Sequence, residues 1–372
     1  MKKRIALVTI FDNPNFGTYL QTFALSSIIE KLGGTVQIVH YERPHWKYWN
    51  SLFESFKSVN LLHKISRFCW SIAPYIQKRK EQKFIMNNFS VSRRYNSFED
   101  LKSNPPVADV YLTGSDQVWN SIHNRGIDKV FYLAFAPEEK KKCAYAASFG
   151  MSEVPQEEIE DTKKLLQSYN NISVRESSNV DILNKLGILN VQQVLDPTLL
   201  LSKVDWEKII NKKRKPKKKY LLVYSVESKK QDYIISEISK KIAHKMDLKI
   251  YGVYYSGFKY KIKCCDKNYY YASPIDFLHL IDNASFLVVS SFHGTAFSIN
   301  MNKEFITVSP QRFNSRIDSL LSLVNLTNRK VSSVEDFNMD ILSEKINYNQ
   351  VNDILSNERM KSLEFIKTNI LN

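Results

Sequence analysis

Short apolar runs rich in β-branched residues alternate with helical patterns along most of this chain of 372 residues. The first apolar run is Ile5–Ile10, and a second covers Thr35–Tyr41; between them, apolar residues at helical spacing end at Gly33-Gly34. Strands that are buried on both faces and joined by helices form parallel sheets, because a parallel connection has to cross from one end of the sheet to the other. The sequence therefore predicts an α/β protein assembled from βαβ units.

The same alternation begins again after the basic segment Lys212–Lys219, KKRKPKKK. Domains usually contain about 100–200 residues, so a chain of this length predicts two of them. We place the first at residues 1–200, with an insertion at about 45–95, and the second at residues 201–333, followed by a helical tail at 334–372.

The net charge of +15 is concentrated in two places. Lys212–Lys219 holds seven basic residues and no acidic one, and His45–Tyr95 holds ten Lys and Arg against two Glu. The remainder of the chain is balanced, which argues against a nucleic-acid partner. The first segment is either a solvated loop or a contact with an anionic surface. The second also contains many aromatic residues, so it either packs on the sheet as amphipathic helices or contacts an anionic membrane.

The four cysteines, Cys69, Cys143, Cys264 and Cys265, form no C-x-x-C pair and no spacing typical of a metal site. We therefore expect reduced thiols in a cytoplasmic protein that holds no metal. No apolar stretch approaches the roughly 20 residues that span a bilayer. The sequence also contains neither a P-loop nor a G-x-G-x-x-G motif, which argues against nucleoside triphosphate hydrolysis and against a dinucleotide cofactor.

A histidine occupies the turn between a predicted strand and a predicted helix. The run Phe286–Val289 ends in two serines, and His293 follows just before the helical pattern resumes at Ala296. In an open α/β sheet this turn lies at the carboxyl end of a strand, where ligands bind. Histidine exchanges a proton near neutral pH, and the amides at the start of a helix attract an anion. The turn therefore predicts a proton donor beside an anion site.

Five motifs, in order along the chain, resemble those of the polysaccharide pyruvyl transferase family. They are Asn15-Phe16-Gly17 with Leu20-Gln21, Gly114-Ser115-Asp116-Gln117-Val118-Trp119-Asn120, Ser173-Val174-Arg175-Glu176, Asp196-Pro197-Thr198 and Ser291-Phe292-His293-Gly294. The resemblance runs from about residue 5 to about residue 320. It implies two Rossmann-like domains that face each other across a cleft, as in GT-B glycosyltransferases, with the acceptor side in the first domain and the donor side in the second.

Such enzymes transfer a pyruvyl group from phosphoenolpyruvate to a sugar hydroxyl of a surface polysaccharide or its lipid-linked precursor, and the product is a pyruvate ketal. The resemblance thus implies phosphoenolpyruvate as co-substrate without a further cofactor, a saccharide acceptor, and a cytoplasmic location at or near the inner face of the membrane. It implies that His293 is the catalytic acid and that Arg175 binds the carboxylate or phosphate of the donor. The alternative for Arg175 is a surface ion pair with Glu176 or another neighbour, which would contribute little.

Other residues of the matched motifs are candidates for the acceptor side. Asp116 either acts as the base on the sugar hydroxyl or caps the following helix. Trp119 either stacks on a sugar ring or belongs to the core. The remaining acceptor candidates are Asn15, Gly17, Gln21 and Ser115.

One position departs from the family pattern. Characterised members often carry an arginine two residues before the histidine, where this chain has Ser291. We expect Arg312, Arg316, or the amides of Gly294 and Thr295 to supply the missing contact with the donor. Two other functions stay open: a GT-B-like glycosyltransferase that uses a nucleotide-sugar, and a non-catalytic carbohydrate-binding or assembly protein.

Overall fold

A computed structural model describes residues 2–11, 15–43, 76–210, 218–226, 229–254, 262–310 and 314–372. Their contacts divide the chain into two units. The first consists of Met1–Asn13, Gln21–Asp196 and Ser362–Asn372, and the second of Pro14–Leu20 and Pro197–Lys361. Most of the basic segment and most of the basic and aromatic insertion lie outside the described residues.

A seven-stranded parallel sheet forms the centre of the first unit, in the order β3-β2-β1-β4-β5-β6-β7. Its strands are β1 Arg4–Val8, β2 Thr35–Tyr41, β3 Val91–Tyr95, β4 Val110–Thr113, β5 Lys141–Ala147, β6 Asn171–Val174 and β7 Gln192–Gln193. The central strand β1 pairs on one side with β2, Leu7 opposite Ile38, and on the other with β4, Leu7 opposite Leu112. The order reverses between β1 and β4, and such a switch point is where parallel α/β sheets bind ligands.

Within the described residues, six helices connect these strands. They are α1 Phe16–Lys31, α2 at 76–88, α3 Phe98–Ser103, α4 Ser121–Asn124, α5 Ile159–Leu166 and α6 Ser177–Lys185, with a 3₁₀ turn at Gln156–Glu158. The final helical turns, Ile366–Leu371, return to this unit, where the Asn369 carbonyl accepts from Cys143 Sγ on β5 and Asn171 Nδ2 on β6.

The second unit repeats the architecture with six parallel strands in the order β10-β9-β8-β11-β12-β13. They are β8 Tyr220–Tyr224, β9 Lys249–Val253, β10 Lys267–Tyr269, β11 Phe286–Val289, β12 Phe305–Val308 and β13 Lys330–Val331. The switch point lies between β8 and β11. Both strands are apolar and completely buried, as expected for the centre of a sheet covered on both faces.

In the described part of the second unit, seven helices accompany the sheet. They are α7 Pro197–Leu200, α8 Lys203–Ile209, α9 Lys229–Met246, α10 Pro274–Asn283, α11 Phe292–Asn300, α12 Ser315–Leu323 and α13 Tyr348–Phe365, with 3₁₀ turns at Thr327–Arg329 and Met339–Leu342. Helix α9 presents Ile235, Ile238 and Ile242 to one face of the sheet, so its apolar positions recur at helical spacing. Capping boxes begin α8 at Ser202 and α10 at Ser273, which fixes where each helix starts.

The prediction of two parallel α/β units is confirmed. The insertion at 45–95 was predicted to be helical, and its described part corrects this, because α2 is followed by strand β3, which extends the sheet beyond β2. The tail predicted at 334–372 is divided between the units: the contacts of residues from Ser362 onward group with the first, and those of the preceding residues with the second. None of the described helices combines the length and the apolar character that crossing a membrane would require.

Candidate functional site

The predicted strand–turn–helix around His293 is present at the switch point of the second sheet. Strand β11 ends at Val289, and Ser291 is the N-cap of α11, with its hydroxyl accepting from the Gly294 amide at 3.1 Å. Thr295 secures the same turn, because its hydroxyl donates to the Ser291 carbonyl and lies 3.0 Å from the Thr307 hydroxyl on β12. The start of α11 is therefore fixed by side chains on both sides of the histidine.

His293 lies in the first turn of α11 and is only 4% exposed. Gly17, near the start of α1, lies against its imidazole. A Cβ on Gly17 would come within 2.1 Å of His293 Nδ1 and 2.2 Å of Cγ. Only a residue without a side chain fits here, so the glycine of the N-F-G motif allows the backbone of α1 to approach the imidazole.

Asn15 fixes the start of α1 next to the histidine. Its side-chain Oδ1 accepts from the Gly17 amide at 2.8 Å, and its backbone carbonyl accepts from the Thr18 hydroxyl at 2.8 Å. Tyr224, the last residue of β8, donates its hydroxyl to the same Oδ1 at 3.3 Å. Asn15 and Gly17, which were predicted to contact the acceptor, thus lie in the same unit as His293.

This part of the second unit combines an imidazole with the start of a helix. The helix dipole and the first amides of α11 favour an anion, although the Gly294 amide is already engaged by Ser291. The imidazole can transfer a proton to a substrate held at the same strand end. The geometry is therefore compatible with proton transfer to an anionic substrate.

A buried ion network occupies the carboxyl edge of the first sheet. Arg175 follows β6, and its side chain is 2% exposed. Its NH1 donates to Asp196 Oδ2 at 2.9 Å, and its Nε donates to Glu176 Oε1 at 2.7 Å. Asp116 Oδ1, at the end of β4, lies 3.7 Å from the same NH1.

These contacts change the interpretation of Arg175. Burial opposes the positive charge, but Glu176, Asp196 and Asp116 outweigh it and raise the pKa of the guanidinium above its ordinary value. A guanidinium surrounded by three carboxylates neutralises charge within the protein. The arrangement therefore argues against the prediction that Arg175 binds the donor directly, because a donor anion would have to compete with three fixed carboxylates.

Asp116 holds an uncommon backbone conformation at the end of β4, with φ of 77°. It does not cap the next helix, because α4 is capped by Asn120. Its neighbour Ser115 donates a hydrogen bond to Asp196 Oδ2 at 3.2 Å, so both residues belong to the network around Arg175. In this strained backbone conformation the Asp116 carboxylate lies near the Arg175 guanidinium. The carboxylate is also located at the strand end, where ligands bind.

Two predicted acceptor residues belong to the interior instead. Trp119 is 1% exposed, donates from Nε1 to the Phe131 carbonyl at 3.2 Å and stacks on Tyr132. Gln21 is completely buried, and its amide nitrogen donates to the Thr9 hydroxyl at 2.9 Å. The prediction that these side chains contact a sugar is corrected, because neither exposes a surface on which a sugar could bind.

Two arginines, Arg312 and Arg316, were predicted to contact the donor. Arg316 lies in the first turn of α12 and is half-buried. Arg312 lies outside the described residues, as does most of the stretch predicted to contact a membrane. Among the described residues, no group of three or more His, Cys, Asp and Glu is arranged to hold a metal ion.

Two residues of this site were not among the sequence candidates. Tyr224 ends an apolar strand and carries no signal that separates it from a core tyrosine. Asp196 belongs to the matched Asp-Pro-Thr motif, but its pairing with Arg175 depends on which strands are neighbours in the sheet.

The family model for polysaccharide pyruvyl transferase matches residues 15–312, which is more than half of the chain. The chain belongs to the polysaccharide pyruvyl transferase family. The matched region includes the motifs that hold Asn15, Asp116, Arg175 and His293. A search of curated proteins found no significant match to this chain.

Solved structures share the fold of this pyruvyl transferase family member. A protein assigned as a UDP-N-acetylglucosamine 2-epimerase from Listeria monocytogenes aligns with a TM-score of 0.53 and 8% identity, over 95% of this chain and 91% of that one. UGT89C1 from Arabidopsis thaliana, in complex with UDP-L-rhamnose, aligns with a TM-score of 0.50 and 9% identity, over 99% and 95% of the two chains. At such identities the likeness concerns the fold alone, two parallel α/β domains of the GT-B type.

Proposed function

We propose that this protein transfers the pyruvyl group of phosphoenolpyruvate to a saccharide and forms a pyruvate ketal. The observation that carries the proposal is His293 in the first turn of α11, at the switch point of the second sheet, in a chain of the polysaccharide pyruvyl transferase family. The enol phosphate needs a proton on its methylene carbon before a hydroxyl can attack it, and a buried imidazole at the start of a helix is suited to give one to an anion.

The proposed reaction starts with proton transfer from His293 to the methylene carbon of phosphoenolpyruvate. The methylene becomes a methyl group, and the neighbouring carbon becomes an oxocarbenium-like centre. One sugar hydroxyl attacks this carbon and the bond to phosphate breaks; a second hydroxyl of the same sugar then closes the ketal. Of the two hydroxyl protons, one replaces the proton given by His293 and the other leaves with phosphate, so atoms and charge balance.

The ends of the strands in the first unit carry the residues that we assign to the acceptor. We assign Asp116 as the base that takes the proton of the attacking hydroxyl and then passes it to the departing phosphate, since its carboxylate lies at a strand end and is oriented by Arg175. Arg175 then acts through Asp116 rather than on the donor. A lipid-linked sugar is the acceptor class that we propose, because the family acts on surface polysaccharides or their precursors.

The test is a donor and acceptor panel with purified protein. Phosphate release that depends on phosphoenolpyruvate and on a saccharide, with a ketal methyl signal in the product NMR spectrum, is the expected result. Replacing phosphoenolpyruvate by UDP-sugars separates pyruvyl transfer from glycosyl transfer, because only the latter releases UDP.

The variant His293→Gln keeps a polar side chain of similar size but has no proton to exchange near neutral pH. We expect its rate to fall by about 10²–10⁴-fold, the usual contribution of a general acid. His244→Gln is the matched control, because His244 is exposed on α9. A folded His293→Gln protein with the wild-type rate would refute the assigned role.

A further inference from the structure

We propose that the Tyr224 hydroxyl is a positioning group for His293: it holds the Asn15 side chain, which in turn holds the start of α1 against the imidazole. This role rests on the function proposed above, because it matters for catalysis only if His293 transfers a proton. The contact itself can be measured without any assay of turnover.

Three contacts connect the hydroxyl with the histidine. Tyr224 Oη donates to Asn15 Oδ1 at 3.3 Å, and the same oxygen accepts from the Gly17 amide at 2.8 Å. Gly17 then meets the imidazole so closely that a Cβ would lie 2.1 Å from Nδ1. Removing the Tyr224 hydroxyl is therefore expected to affect His293 through the Asn15 side chain and the backbone at Gly17.

Tyr224 also contacts the helix that carries the histidine. A Cβ on Gly294 would lie 3.1 Å from Tyr224 Cδ1, so the tyrosine ring lies against the first turn of α11. On its other side the ring packs beside Phe16, with centroids 5.9 Å apart, and Phe16 stacks on Phe277 at 4.8 Å. The Tyr224 ring therefore contacts both the start of α1 and the first turn of α11.

The hydroxyl is not needed for this packing, which a phenylalanine would supply equally well. A buried hydroxyl costs free energy unless it is hydrogen-bonded, so its partner matters. Burial raises the pKa of Tyr224, which keeps the hydroxyl protonated and therefore a donor throughout the neutral range. The group thus acts as a fixed donor that orients the Asn15 carboxamide.

The closing experiment is a histidine NMR titration of the full chain, with ¹³C and ¹⁵N labels on the imidazoles. Comparison with His293→Gln assigns the His293 resonances. In Tyr224→Phe we expect these resonances and their titration midpoint to move, because Asn15 and the start of α1 are no longer held. The other histidine signals are expected to stay in place.

Tyr220→Phe is the matched control. Tyr220 lies on the same strand and the same face of the sheet, is equally buried, and donates its hydroxyl to the Leu280 carbonyl at 2.6 Å. Its loss removes a comparable hydrogen bond away from Asn15. Resonances of His293 that move as much in Tyr220→Phe as in Tyr224→Phe, or that move in neither, would overturn the proposal.

Kinetics add a second measurement. In Tyr224→Phe we expect kcat to fall by about threefold to tenfold, the size of one lost orienting hydrogen bond, with KM for phosphoenolpyruvate nearly unchanged. Asn15→Ala should lower kcat at least as much, and the double variant should be no worse than Asn15→Ala. Additive losses would overturn the pathway through Asn15.

A shift in the NMR titration without turnover on any donor would reject the proposed function and leave the positioning contact standing.

Discussion

Gly17 approaches His293 so closely that a methyl group on its Cα would lie 2.1 Å from the imidazole Nδ1. The distance is far shorter than a van der Waals contact between a carbon and a nitrogen. Glycine is therefore required at this position by the histidine, and not by the backbone conformation of α1, which is helical here.

The variant Gly17→Ala is expected to displace the imidazole while leaving the fold intact. Alanine is favoured over glycine inside a helix by about 1 kcal/mol, so α1 itself should not be weakened. A displacement of about 1 Å at a catalytic group can cost about 10²-fold in rate, and we expect a loss of that order. Turnover and the circular dichroism melting curve check this together.

Ser27→Ala is the control for that variant, because it adds a good helix former to a half-buried position of α1 away from the histidine. It should leave both turnover and melting temperature nearly unchanged. A fully active Gly17→Ala protein would show that the imidazole can move without consequence.

Arg175→Met should destabilise the first unit strongly. Removing the guanidinium leaves Asp116, Glu176 and Asp196 as buried carboxylates without their shared cation. Breaking a buried ion pair in this way costs about 3–5 kcal/mol. We expect the denaturation midpoint of the variant to fall accordingly, whereas Arg93→Met, which removes an exposed pair with Asp100, should change it little.

The pH dependence of that variant provides a further check. In the wild type the raised pKa keeps Arg175 charged at every working pH, so the stabilisation that the ion network contributes is complete below the ordinary guanidinium pKa and does not change near neutrality. Without the cation, protonating one of the carboxylates relieves their repulsion. Arg175→Met should therefore lose less stability at pH 5 than at pH 8; an equal loss at both would contradict the charge argument.

The parts of the fold that were predictable from sequence are those in which local pattern and burial agree. Strand Phe286–Val289 matches the prediction at both ends, because it is a continuous apolar run in the middle of a sheet. Edge strands β3 and β10 have the sequences VSRRY and KNY, whose charged residues face solvent. Such strands carry no apolar signal, so their pairing is known only from the sheet itself.

The candidate site likewise has one part that the sequence predicts and another that it does not. The turn around His293 is a local feature, and its strand, cap and helix follow from consecutive residues. The contact of Gly17 with His293 and the pairing of Arg175 with Asp196 join residues far apart in the chain. A motif can mark such residues as related, but the sequence does not contain the distances that turn Arg175 from an anion ligand into the centre of a carboxylate network.

The cysteines are expected to differ sharply in reactivity. The hydrogen bond with the Cys265 thiol lowers the pKa of Cys264 despite its partial burial, and Ser236 and Lys240 act in the same direction, whereas burial raises the pKa of Cys143 to about 11. The thiolate is the reactive form. Iodoacetamide at pH 7.5 should therefore label Cys264 faster than Cys143, as measured by peptide mass spectrometry. Labelling in denaturant should remove the difference, and equal rates in the folded protein would contradict it.

Variants of Ser291 allow two properties of the α11 start, helix capping and anion binding, to be tested separately. Its hydroxyl caps the helix by accepting from the Gly294 amide, and it stands where an anion would approach. Ser291→Ala removes the cap and should cost about 1 kcal/mol of stability with little change in KM for phosphoenolpyruvate.

Ser291→Asp keeps a capping oxygen and adds a negative charge that the helix dipole favours, so its melting temperature should equal that of the wild type. The same charge repels phosphoenolpyruvate, and KM should rise by about tenfold or more, equivalent to at least about 1.4 kcal/mol of lost binding. Calorimetric titration with phosphoenolpyruvate and thermal melts of both variants measure the two effects independently. Wild-type affinity in a well-folded Ser291→Asp protein would move the anion site away from the start of α11.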